Sequence, residues 1–408
     1  MTEAAPAGDR LPLTGVTVID CSQLVAGPMV GMLLADFGAD VIKIEHPATG
    51  DPLRAFGKSR NGVGLYSKFL HRNKRPVNLA LNRPAGQDLF VRLLETTRAD
   101  VVIEAFRPGT LERWNLGYDR LAAANPGVVV VRISGFGQTG PYRDRPGFGT
   151  LAEAMSGFAH MTGQPDGPPT LPPIPLADSI AALYSALGVV LALRARDASP
   201  DGRGQVVDTA LLEGLFSFHG NQLLEFDQLG EIAQRHGNRA PTSSPRNLYR
   251  TADDRWVAIA GSADSVAGRL FTAMGRTDLN EHPHFVNNTA RLAHADEVDE
   301  VVAQWVAGIK RDDLLALLVA AHVPVAPVAD MADLSDDPHL AARGAIAEVP
   351  DDELGPLRMP GVLPRLSHTP GVIRHAGSPQ GSATAEIYGG LLGLDESEIA
   401  RLRADGIV

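Results

Sequence analysis

The sequence predicts an α/β protein: a Rossmann-like, doubly wound large domain accompanied by a smaller α+β domain. The first observation is an alternation of strand and helix patterns over the first ~200 residues. The second is that the strand patterns are apolar on both faces, as a sheet covered by helices on both sides requires. The third is composition, because 408 residues, 44% hydrophobic and 21% charged, describe a globular protein with room for about two or three domains.

The chain opens with a strand–helix–strand unit. Residues 16–20 have the pattern of a buried strand, and residues 26–28, Ala-Gly-Pro, interrupt it before a helix at 29–37. Gly38 ends that helix, and residues 41–45 form the next strand, which makes a βαβ unit with a parallel sheet. The alternation continues with helices at residues 86–97, 111–114 and 118–125, strands at 100–104, 128–133 and 206–210, and a helix at 211–229.

A different pattern begins after an irregular stretch at residues 237–245, which marks a boundary. Two acidic residues, Asp253 and Asp254, separate apolar runs and indicate a hairpin. Helical patterns follow at residues 265–274, 290–309 and 311–321. We therefore predict a large domain whose first part is residues 1–227, a small α+β domain at 228–328, and a return segment at 329–408. The return segment holds a long proline-rich connection at residues 350–370 and a short helix at 397–405.

Composition excludes several classes of protein. The one cysteine, Cys21, rules out an internal disulfide and is expected to be a buried, inert thiol, which fits a reducing, cytoplasmic location. Residues 1–12 lack the apolar core of a secretory signal, and we identify no uncharged apolar run of bilayer length, so no membrane partner is expected. The net charge of −11 argues against nucleic acid as a partner.

The exception to this acidic balance is a basic block. Residues 52–87 contain no Asp or Glu and eight basic residues, Arg54, Lys58, Arg60, Lys68, Arg72, Lys74, Arg75 and Arg83. One interpretation is a solvated basic face. The other is a site for an anionic small molecule, since the dense run at residues 71–75 suits phosphate groups.

A glycine motif follows the strand at residues 128–133. Gly135 to Gly140 match G-x-G-x-x-G, but Pro141 and further loop residues come next instead of the helix that a dinucleotide site needs. We therefore reject a dinucleotide site here and expect these glycines to let a loop approach a ligand closely.

One carboxylate lies at a position suited to chemistry. The proline-rich run at residues 172–175 cannot be helical, and a long apolar helix is predicted from residue 179 to 193. Asp178 would lie at the N-cap or first turn, where the positive end of the helix dipole holds a carboxylate ionised. It either caps a buried helix or serves as a nucleophile towards an activated acyl group.

Several short motifs in a fixed order resemble the family III CoA-transferases. This group includes formyl-CoA transferase and, as a divergent branch, α-methylacyl-CoA racemase. The matching segments are residues 13–16, 26–28, 34–45, 50–52, 73–75, 106–109, 135–141 and 202–205. The resemblance implies a large domain built from both chain ends, with the return segment completing it, a small domain between, and an interlocked homodimer.

The resemblance also assigns roles to residues. Asp178 matches the catalytic aspartate that becomes acylated. The CoA phosphates and adenine are expected at Arg54, Lys74, Arg75, Arg107 and Arg113. Backbone N–H groups near Gly135, Gly137, Gly147 or Gly149 are candidate oxyanion donors. No metal and no tightly bound cofactor are implied; the coenzyme A thioester is a substrate.

The implied activity is transfer of CoA from an acyl-CoA to a free carboxylic acid through an aspartyl-CoA thioester (EC 2.8.3 type). The alternative is a racemase-type isomerase, whose proton-transferring histidine position is occupied here by Phe148, which cannot transfer protons. His160 lies nearby but is expected to be a satisfied core residue. A third hypothesis is a protein that binds CoA without catalysis. Val25 replaces a glutamine of the formyl-CoA transferase site, and residues 240–245 stand where that enzyme has a glycine-rich loop, so the acid stays unidentified.

Overall fold

A computed structural model of the protein describes residues 11–408, and these residues form two compact units. The first unit contains the described residues up to Phe158 together with Pro172–Asn221 and His339–Val408. The second contains Ala159–Leu171 and Gln222–Pro338. The boundaries 1–227, 228–328 and 329–408 stay a prediction of the domains, because compactness alone does not show which parts fold independently.

A six-stranded parallel sheet forms the centre of the first unit. Its strands are β1 (Thr17–Asp20), β2 (Asp40–Glu45), β3 (Lys74–Asn78), β4 (Val101–Glu104), β5 (Val129–Ser134) and β6 (Val206–Ala210). They lie side by side in the order β3-β2-β1-β4-β5-β6, so the chain starts in the middle and winds outward in both directions. This is the strand order of a doubly wound fold, and ligands of such sheets bind at the carboxyl ends of the strands, where the order reverses. The predicted mixed α/β architecture with a parallel central sheet is confirmed.

Helices of the first unit cover both faces of this sheet, and the described residues of the two units contain seventeen α-helices in all. In chain order they are α1 (Ala26–Asp36), α2 (Leu65–Leu70), α3 (Pro84–Thr97), α4 (Thr110–Arg113), α5 (Tyr118–Ala124), α6 (Gly149–Met155), α7 (Phe158–Met161), α8 (Leu176–Ala198), α9 (Leu211–Phe216), α10 (Gly220–Leu229), α11 (Asp264–Ala273), α12 (Asn288–Ala293), α13 (Ala295–Val306), α14 (Arg311–Ala320), α15 (Met331–Ser335), α16 (Pro338–Ala342) and α17 (Glu396–Ala404). Short 3₁₀ turns occupy Pro52–Ala55, Ser217–His219 and Thr277–Asn280, and a π-helical turn occupies Ala385–Leu391.

The alternation of strand residues divides the core in two. Ile19 belongs to a cluster that packs against α3 and the C-terminal segment, whereas its neighbour Val18 belongs to a cluster that packs against α1 and α8. Successive side chains of a strand point to opposite faces, so a sheet that is apolar in every position needs both clusters. Tyr388 and Val408, near the end of the chain, lie in the same cluster as Ile19.

Two elements of the first unit were missed by the sequence analysis. Strand β3 begins with Lys74 and Arg75, whose charges hid its strand pattern. The proline-rich connection predicted at residues 350–370 includes a strand, Leu357–Pro360, which forms an antiparallel hairpin with Ile346–Val349 just before that connection. A second, two-residue hairpin pairs Ser59–Arg60 with Val63–Gly64.

Helix α8 is longer than predicted. It spans 23 residues and, by length and composition alone, it could cross a membrane, although charged residues bound its uncharged stretch at 179–193. In its most apolar window 44% of the helix is buried inside the protein, and a core helix of a soluble protein meets the same criterion. One such helix is therefore weak evidence for a membrane span.

The second unit contains a three-stranded antiparallel sheet. Its strands are Arg246–Arg250, Trp256–Ala260 and Val325–Pro327, with Trp256–Ala260 in the middle. The first two form the predicted hairpin around Asp253 and Asp254. Helices α11, α13 and α14 supply Leu270, Val302 and Leu314 to the core beside this sheet.

Candidate active site around Asp178

Asp178 lies in the first turn of α8, as predicted, but it does not cap the helix. The helix begins at Leu176, three residues before the predicted start, and Pro175 occupies the N-cap without a side-chain acceptor. The carboxylate of Glu153, on α6, takes that role: its Oε1 accepts hydrogen bonds from the backbone N–H groups of Leu176 (3.0 Å) and Ala177 (3.3 Å). The Asp178 carboxylate is therefore released from capping and available to a ligand.

The ionisation of Asp178 differs from our expectation. Burial and, to a smaller extent, the negative charge of Glu153 together raise the pKa of Asp178 to about 6. These two effects outweigh the hydrogen bond that the carboxyl accepts from its own backbone N–H, which lowers the pKa. At pH 7 a carboxyl group with a pKa of about 6 is still roughly 90% ionised. The side chain is thus an anion at neutral pH, but a more basic one than an exposed aspartate.

Two cavities of the first unit meet at Asp178. The larger one has a volume of about 490 Å³ and mostly apolar walls. They include Phe56, Phe148 and the proline-rich run at residues 172–175. The smaller one, about 110 Å³, lies at the carboxyl ends of β4 and β5. Both cavities include Asp178, Phe148 and Leu24. The carboxylate therefore lies where an apolar group from one side and a polar group from the other can meet.

Three of the four predicted oxyanion glycines lie beside Asp178. Gly135 and Gly147 line the smaller cavity and approach so closely that a Cβ on either one would lie 2.8 Å from the Cα of the other. A Cβ on Gly149 would overlap Oδ2 of Asp178. Gly137 is not among these wall residues, and its N–H donates to Oγ of Ser134 (3.0 Å). The glycine motif is a loop, as predicted, and not the start of a helix.

Arginines line the smaller cavity. Arg107 was predicted; Arg143 and Arg145 were missed, although both are within eight residues of the glycine motif. Within residues 11–408, neither Arg107 nor Arg145 forms an ion pair, and the Arg145 guanidinium stacks 3.6 Å from the Tyr142 ring centroid. Cations without a carboxylate partner at a cavity wall are suited to bind an anionic ligand.

The basic block has a different environment from both of our interpretations. Most of its side chains pair with acids from distant parts of the chain: Arg54 with Glu45, Lys68 with Asp351 and Glu353, Arg72 with Asp36, Lys74 with Asp20, and Arg75 with Asp40 and Glu386. The excess of bases in residues 52–87 therefore mainly balances acids elsewhere in the same unit. The CoA-binding roles of Arg54, Lys74 and Arg75 stay predictions, and these pairings argue against them.

Lys74 is the clearest case. It is fully buried, and its ammonium donates to Oδ2 of Asp20 (2.8 Å) and to the backbone carbonyl of Pro28 (2.6 Å). The neighbouring buried Lys43 lies 3.1 Å from Oδ2 of Asp51. A phosphate group cannot reach a lysine that has no exposed surface without local unfolding.

This buried network supports a wall of the site. Oδ1 of Asp51 accepts a hydrogen bond from the backbone N–H of Leu24 (3.0 Å), which has a left-handed backbone (φ +64°) that a branched residue rarely adopts. His71 lies 3.3 Å from Asp51, and burial lowers its pKa to about 4, so it is neutral at pH 7. Asp51 therefore holds Leu24 in place at the junction of the two cavities.

A further groove continues from the smaller cavity. It measures about 120 Å³ and shares Gln23 and Phe106 with that cavity. Its remaining walls include His46 and Trp114, and the Phe106 and Trp114 rings meet edge to face at 5.0 Å. Arg113, the residue before Trp114, is exposed and donates to Oγ1 of Thr110 (2.8 Å). Together the two hollows extend along the carboxyl ends of the strands.

Three more side chains bear on proton transfer at this site. Phe148 is 62% exposed and lines both cavities, so no histidine occupies that position. His160 is exposed and lines neither cavity; our expectation of a core histidine was wrong. Tyr66, which we missed, is near enough to Asp178 that the carboxylate raises the tyrosine pKa, after the larger effect of burial.

One group in residues 11–408 has the donor set of a metal site, and it lies in the second unit. His284, His294 and Glu297 place ligand atoms within 4.8 Å of one another, with Nδ1 of His284 2.6 Å from Oε2 of Glu297. None of the three lines a cavity at Asp178.

A doubly wound sheet, a carboxylate at the carboxyl ends of its strands and unpaired arginines beside it define an α/β enzyme for an anionic ligand. The comparison with protein families is more specific. The model of CoA-transferase family III matches residues 13–384, and the chain belongs to this family. It is therefore a transferase of the EC 2.8.3 type, whose substrates are CoA thioesters.

Curated relatives are similar over almost the whole chain. The chain is 43% identical to the succinyl-CoA–D-citramalate CoA-transferase of Chloroflexus aurantiacus, over 97% of this chain and 98% of that protein. It is 40% identical to the β subunit of the succinyl-CoA–L-malate CoA-transferase of the same organism, over 98% of each. Among solved structures, a CAIB/BAIF family protein from Brucella suis superposes with a TM-score of 0.84 and 32% identity, covering 94% of this chain and all of that one.

Proposed function

We propose that this enzyme moves CoA from an acyl-CoA donor to a free carboxylic acid through a thioester between CoA and Asp178. The observation that carries the proposal is the Asp178 carboxylate, relieved of capping by Glu153 and lying where an apolar and an arginine-lined cavity meet. Membership of the family supports CoA transfer itself. The covalent intermediate on Asp178 is what the family resemblance implies, and the position of Asp178 at the two cavities supports it.

The proposed steps need no general base. The Asp178 carboxylate attacks the donor thioester carbonyl, the C–S bond breaks, and a mixed anhydride and CoA thiolate form. The thiolate then attacks the aspartyl carbonyl, which forms the aspartyl-CoA thioester and releases the donor acid as a carboxylate. The acceptor carboxylate repeats these steps in reverse, and Asp178 is regenerated. Every nucleophile is already an anion at pH 7, including Asp178 with its raised pKa of about 6.

Each attack passes through a tetrahedral oxyanion. We assign its hydrogen-bond donors to backbone N–H groups around Gly135, Gly147 and Gly149, because these residues border Asp178. Such donors are worth about 2.7–4 kcal/mol each in other enzymes. The apolar walls of the larger cavity would keep water from the anhydride, which hydrolyses readily.

The geometry also suggests how CoA lies. We place the thioester at Asp178, the phosphates near Arg107, Arg143 and Arg145, and the adenine end towards the groove at Trp114 and Arg113. The supports are the guanidiniums of Arg107 and Arg145, which have no ion-pair partner in residues 11–408, the shared walls of the two hollows and the preference of such sheets for ligands at their carboxyl edge.

For the acids, we propose small dicarboxylates, with succinyl-CoA as donor. The relatives at 43% and 40% identity are named for succinyl-CoA and for the hydroxy-dicarboxylates D-citramalate and L-malate. Three arginines line the smaller cavity, which is more than a neutral acyl group requires. The second carboxylate of a dicarboxylate substrate would pair with one of them.

We further propose a homodimer, interlocked as in the family, and a cytoplasmic location. A row of exposed apolar side chains along α8, Leu183, Leu187, Val190 and Leu191, supports self-association, because water-exposed apolar rows of this kind are typical of interfaces. Racemisation is the less favoured activity, since Phe148 provides no second base at Asp178.

The deciding experiment is detection of the intermediate. Wild-type enzyme incubated with succinyl-CoA, without an acceptor, is expected to gain the mass of CoA minus water, and peptide mapping should locate it on Asp178. The Asp178→Asn variant should show neither adduct nor transfer, whereas the control Asp352→Asn, a change at an exposed acid outside both cavities, should behave as wild type. Full transfer activity in Asp178→Asn would overturn the proposal. The acid is then identified by screening D-citramalate, L-malate and other dicarboxylates as acceptors.

A further inference from the structure

Glu153 is a buried carboxylate with no cation beside it. Its side chain belongs to α6 and is 3% exposed, and within residues 11–408 it forms no ion pair. Buried acidic groups are normally paired, because an isolated charge is expensive to remove from water. The partners of Glu153 are instead the backbone N–H groups of Leu176 and Ala177 at the start of α8.

These hydrogen bonds explain why Asp178 is free. A helix that begins after a proline has several unpaired N–H groups and no N-cap side chain to satisfy them. Asp178, as the third helical residue, would be the nearest local acceptor. Because Glu153 satisfies the first two N–H groups from outside, the Asp178 carboxylate points into the cavities instead.

Helix α6 also sets the distance between the two carboxylates. Gly149 and Glu153 are four residues apart, so they lie on the same face of α6. That face approaches Asp178 so closely that a side chain at Gly149 would overlap Oδ2 of Asp178. Two acidic groups are thereby held near each other, and no cation lies between them to screen their repulsion.

We propose that Glu153 is a positioning residue for the reaction: it holds Asp178 free to react, and its charge favours the acylated enzyme over the resting enzyme. This inference rests on the proposed function. Acylation converts the Asp178 carboxylate into a neutral anhydride and then a neutral thioester, while the displaced charge leaves on CoA or on the released acid. The repulsion from Glu153 acts only on the free carboxylate, so it disfavours the resting state and not the covalent states.

Other charged and titratable groups also face Asp178. Arg107, Arg143 and Arg145 line the smaller cavity, and Tyr66 approaches from α2. The arginines attract the resting carboxylate and oppose Glu153. A variant that changes only the charge of Glu153 therefore isolates its contribution, since all other groups stay in place.

Glu153→Gln is that variant. The Gln carbonyl oxygen can still accept from Leu176 and Ala177, whereas Glu153→Ala removes the acceptor as well as the charge. Glu213→Gln, a change at an exposed acid of α9 outside both cavities, is the matched control.

Titration of Asp178 in the resting protein provides the first readout. Infrared difference spectra, with Asp178→Asn as the reference, should show the carboxyl titrating near pH 6 in wild type and in Glu213→Gln. In Glu153→Gln the midpoint should fall by about one pH unit, a tenfold change in the acid dissociation constant. The fraction of enzyme present as aspartyl-CoA at a fixed ratio of succinyl-CoA to succinate should fall by a similar factor.

The outcomes separate the two proposals. An unchanged Asp178 midpoint in Glu153→Gln, together with an unchanged adduct fraction, would overturn the role of Glu153 and leave it a helix cap. A wild-type enzyme that forms no adduct would overturn the covalent mechanism, and the favouring of acylation by Glu153 with it. A melting temperature at or above the wild-type value in Glu153→Gln and a lower one in Glu153→Ala are expected, because the first keeps the cap and removes a repulsion whereas the second loses the cap.

Discussion

Asp178 combines two properties that a carboxylate nucleophile needs, and they come from different neighbours. Its freedom comes from Glu153, which accepts the helix N–H groups. Its basicity comes mainly from burial, which raises the pKa to about 6, with Glu153 adding to the effect. An exposed aspartate would be ionised just as well at pH 7 but would be a weaker nucleophile, because nucleophilicity rises with basicity. The same burial also destabilises the folded resting enzyme, because it removes a charged carboxylate from water.

This destabilisation predicts how the stability of the protein depends on pH. The pKa of Asp178 is about 6 in the folded state and about 3.9 in an unfolded chain, so the folded protein binds the proton more tightly. The contribution of this group to the free energy of unfolding is therefore highest below about pH 4 and falls as pH rises from about 4 to 6, by roughly 3 kcal/mol in total. Asp178→Asn removes this loss. Its melting temperature should exceed that of wild type by a few degrees at pH 8, and the difference should shrink towards pH 4.

Differential scanning calorimetry at the two pH values measures this. Asp352→Asn, at an exposed acid outside both cavities, should match wild type at both. Equal melting temperatures of Asp178→Asn and wild type at pH 8 would contradict a raised pKa at Asp178.

The pH dependence of catalysis should also report the ionisation of Asp178. Because the reactive form is the carboxylate, kcat/KM should fall tenfold per pH unit below an apparent pKa of about 6. Initial rates between pH 4.5 and 8 give this limb. A limb centred near pH 4 would mean that Asp178 is not the group that titrates.

The arginines differ in what surrounds them, and this difference is testable. Arg107 faces the cavity without an ion-pair partner, whereas Arg75 contacts Asp40 and Glu386. Arg107→Ala should raise KM for the acyl-CoA about ten- to a hundredfold, the loss of one charge-assisted hydrogen bond worth about 1.5–3 kcal/mol. Arg75→Ala should leave KM unchanged.

Steady-state kinetics on the two variants tests whether only Arg107 binds CoA, as the structure favours, or both arginines do, as the sequence predicted. A large rise in KM for Arg75→Ala would restore the predicted role of that residue.

At the scale of elements, glycines decide how closely loops and strands approach. Gly204, in the motif at residues 202–205, precedes β6, and its N–H donates to the carbonyl of Pro126 (2.9 Å). A Cβ there would overlap the backbone carbonyl of Val128, which cannot move aside without disturbing β5. The last strand of the sheet thus joins its neighbour through a contact that only glycine permits.

Gly204→Ala should therefore destabilise the protein by about 1–3 kcal/mol, a lower melting temperature by several degrees. Its KM should stay at the wild-type value, because the residue lines neither cavity. The matched control is Gly220→Ala at the start of α10, where the added methyl group meets open space and should be neutral or stabilising. Wild-type stability in Gly204→Ala would show that the loop before β6 can shift.

At the scale of the whole molecule, the two faces of helix α8 are apolar but have different surroundings. One face carries Ala181, Ala182 and Val189 into the core beneath the sheet, and its opposite face leaves Leu187 and Leu191 54% and 59% exposed. A helix that is apolar all round is normally covered on all sides. The proposed homodimer would cover it.

A double variant, Leu187→Glu with Leu191→Glu, tests this. It should convert the dimer to a monomer in size-exclusion chromatography with light scattering, and it should leave the fold intact because both positions face solvent. Val319→Glu, at a 63% exposed position of α14, is the control. A monomeric wild type would refute the homodimer, and a double variant that stays dimeric would place the interface elsewhere.

The sequence determined those features of the protein that depend on neighbouring residues. Apolar strand runs separated by helical patterns defined the doubly wound sheet, because burial on both faces leaves a continuous apolar signature. Pro141 after the glycine motif excluded a dinucleotide site, since a helix cannot begin there in the required way. The proline run before α8 marked Asp178, and the ordered motifs indicated the family.

Tertiary structure alone decided which charges are used for binding and which for folding. The basic block is dense in the sequence, but its partners Asp36, Asp351 and Glu386 are far along the chain, and pairing depends on where folding places them. For the same reason Glu153, 25 positions before Asp178, carried no local signal, although it frees the nucleophile and raises its pKa. Electrostatic energy depends on distance in space and on burial, and a linear sequence records neither.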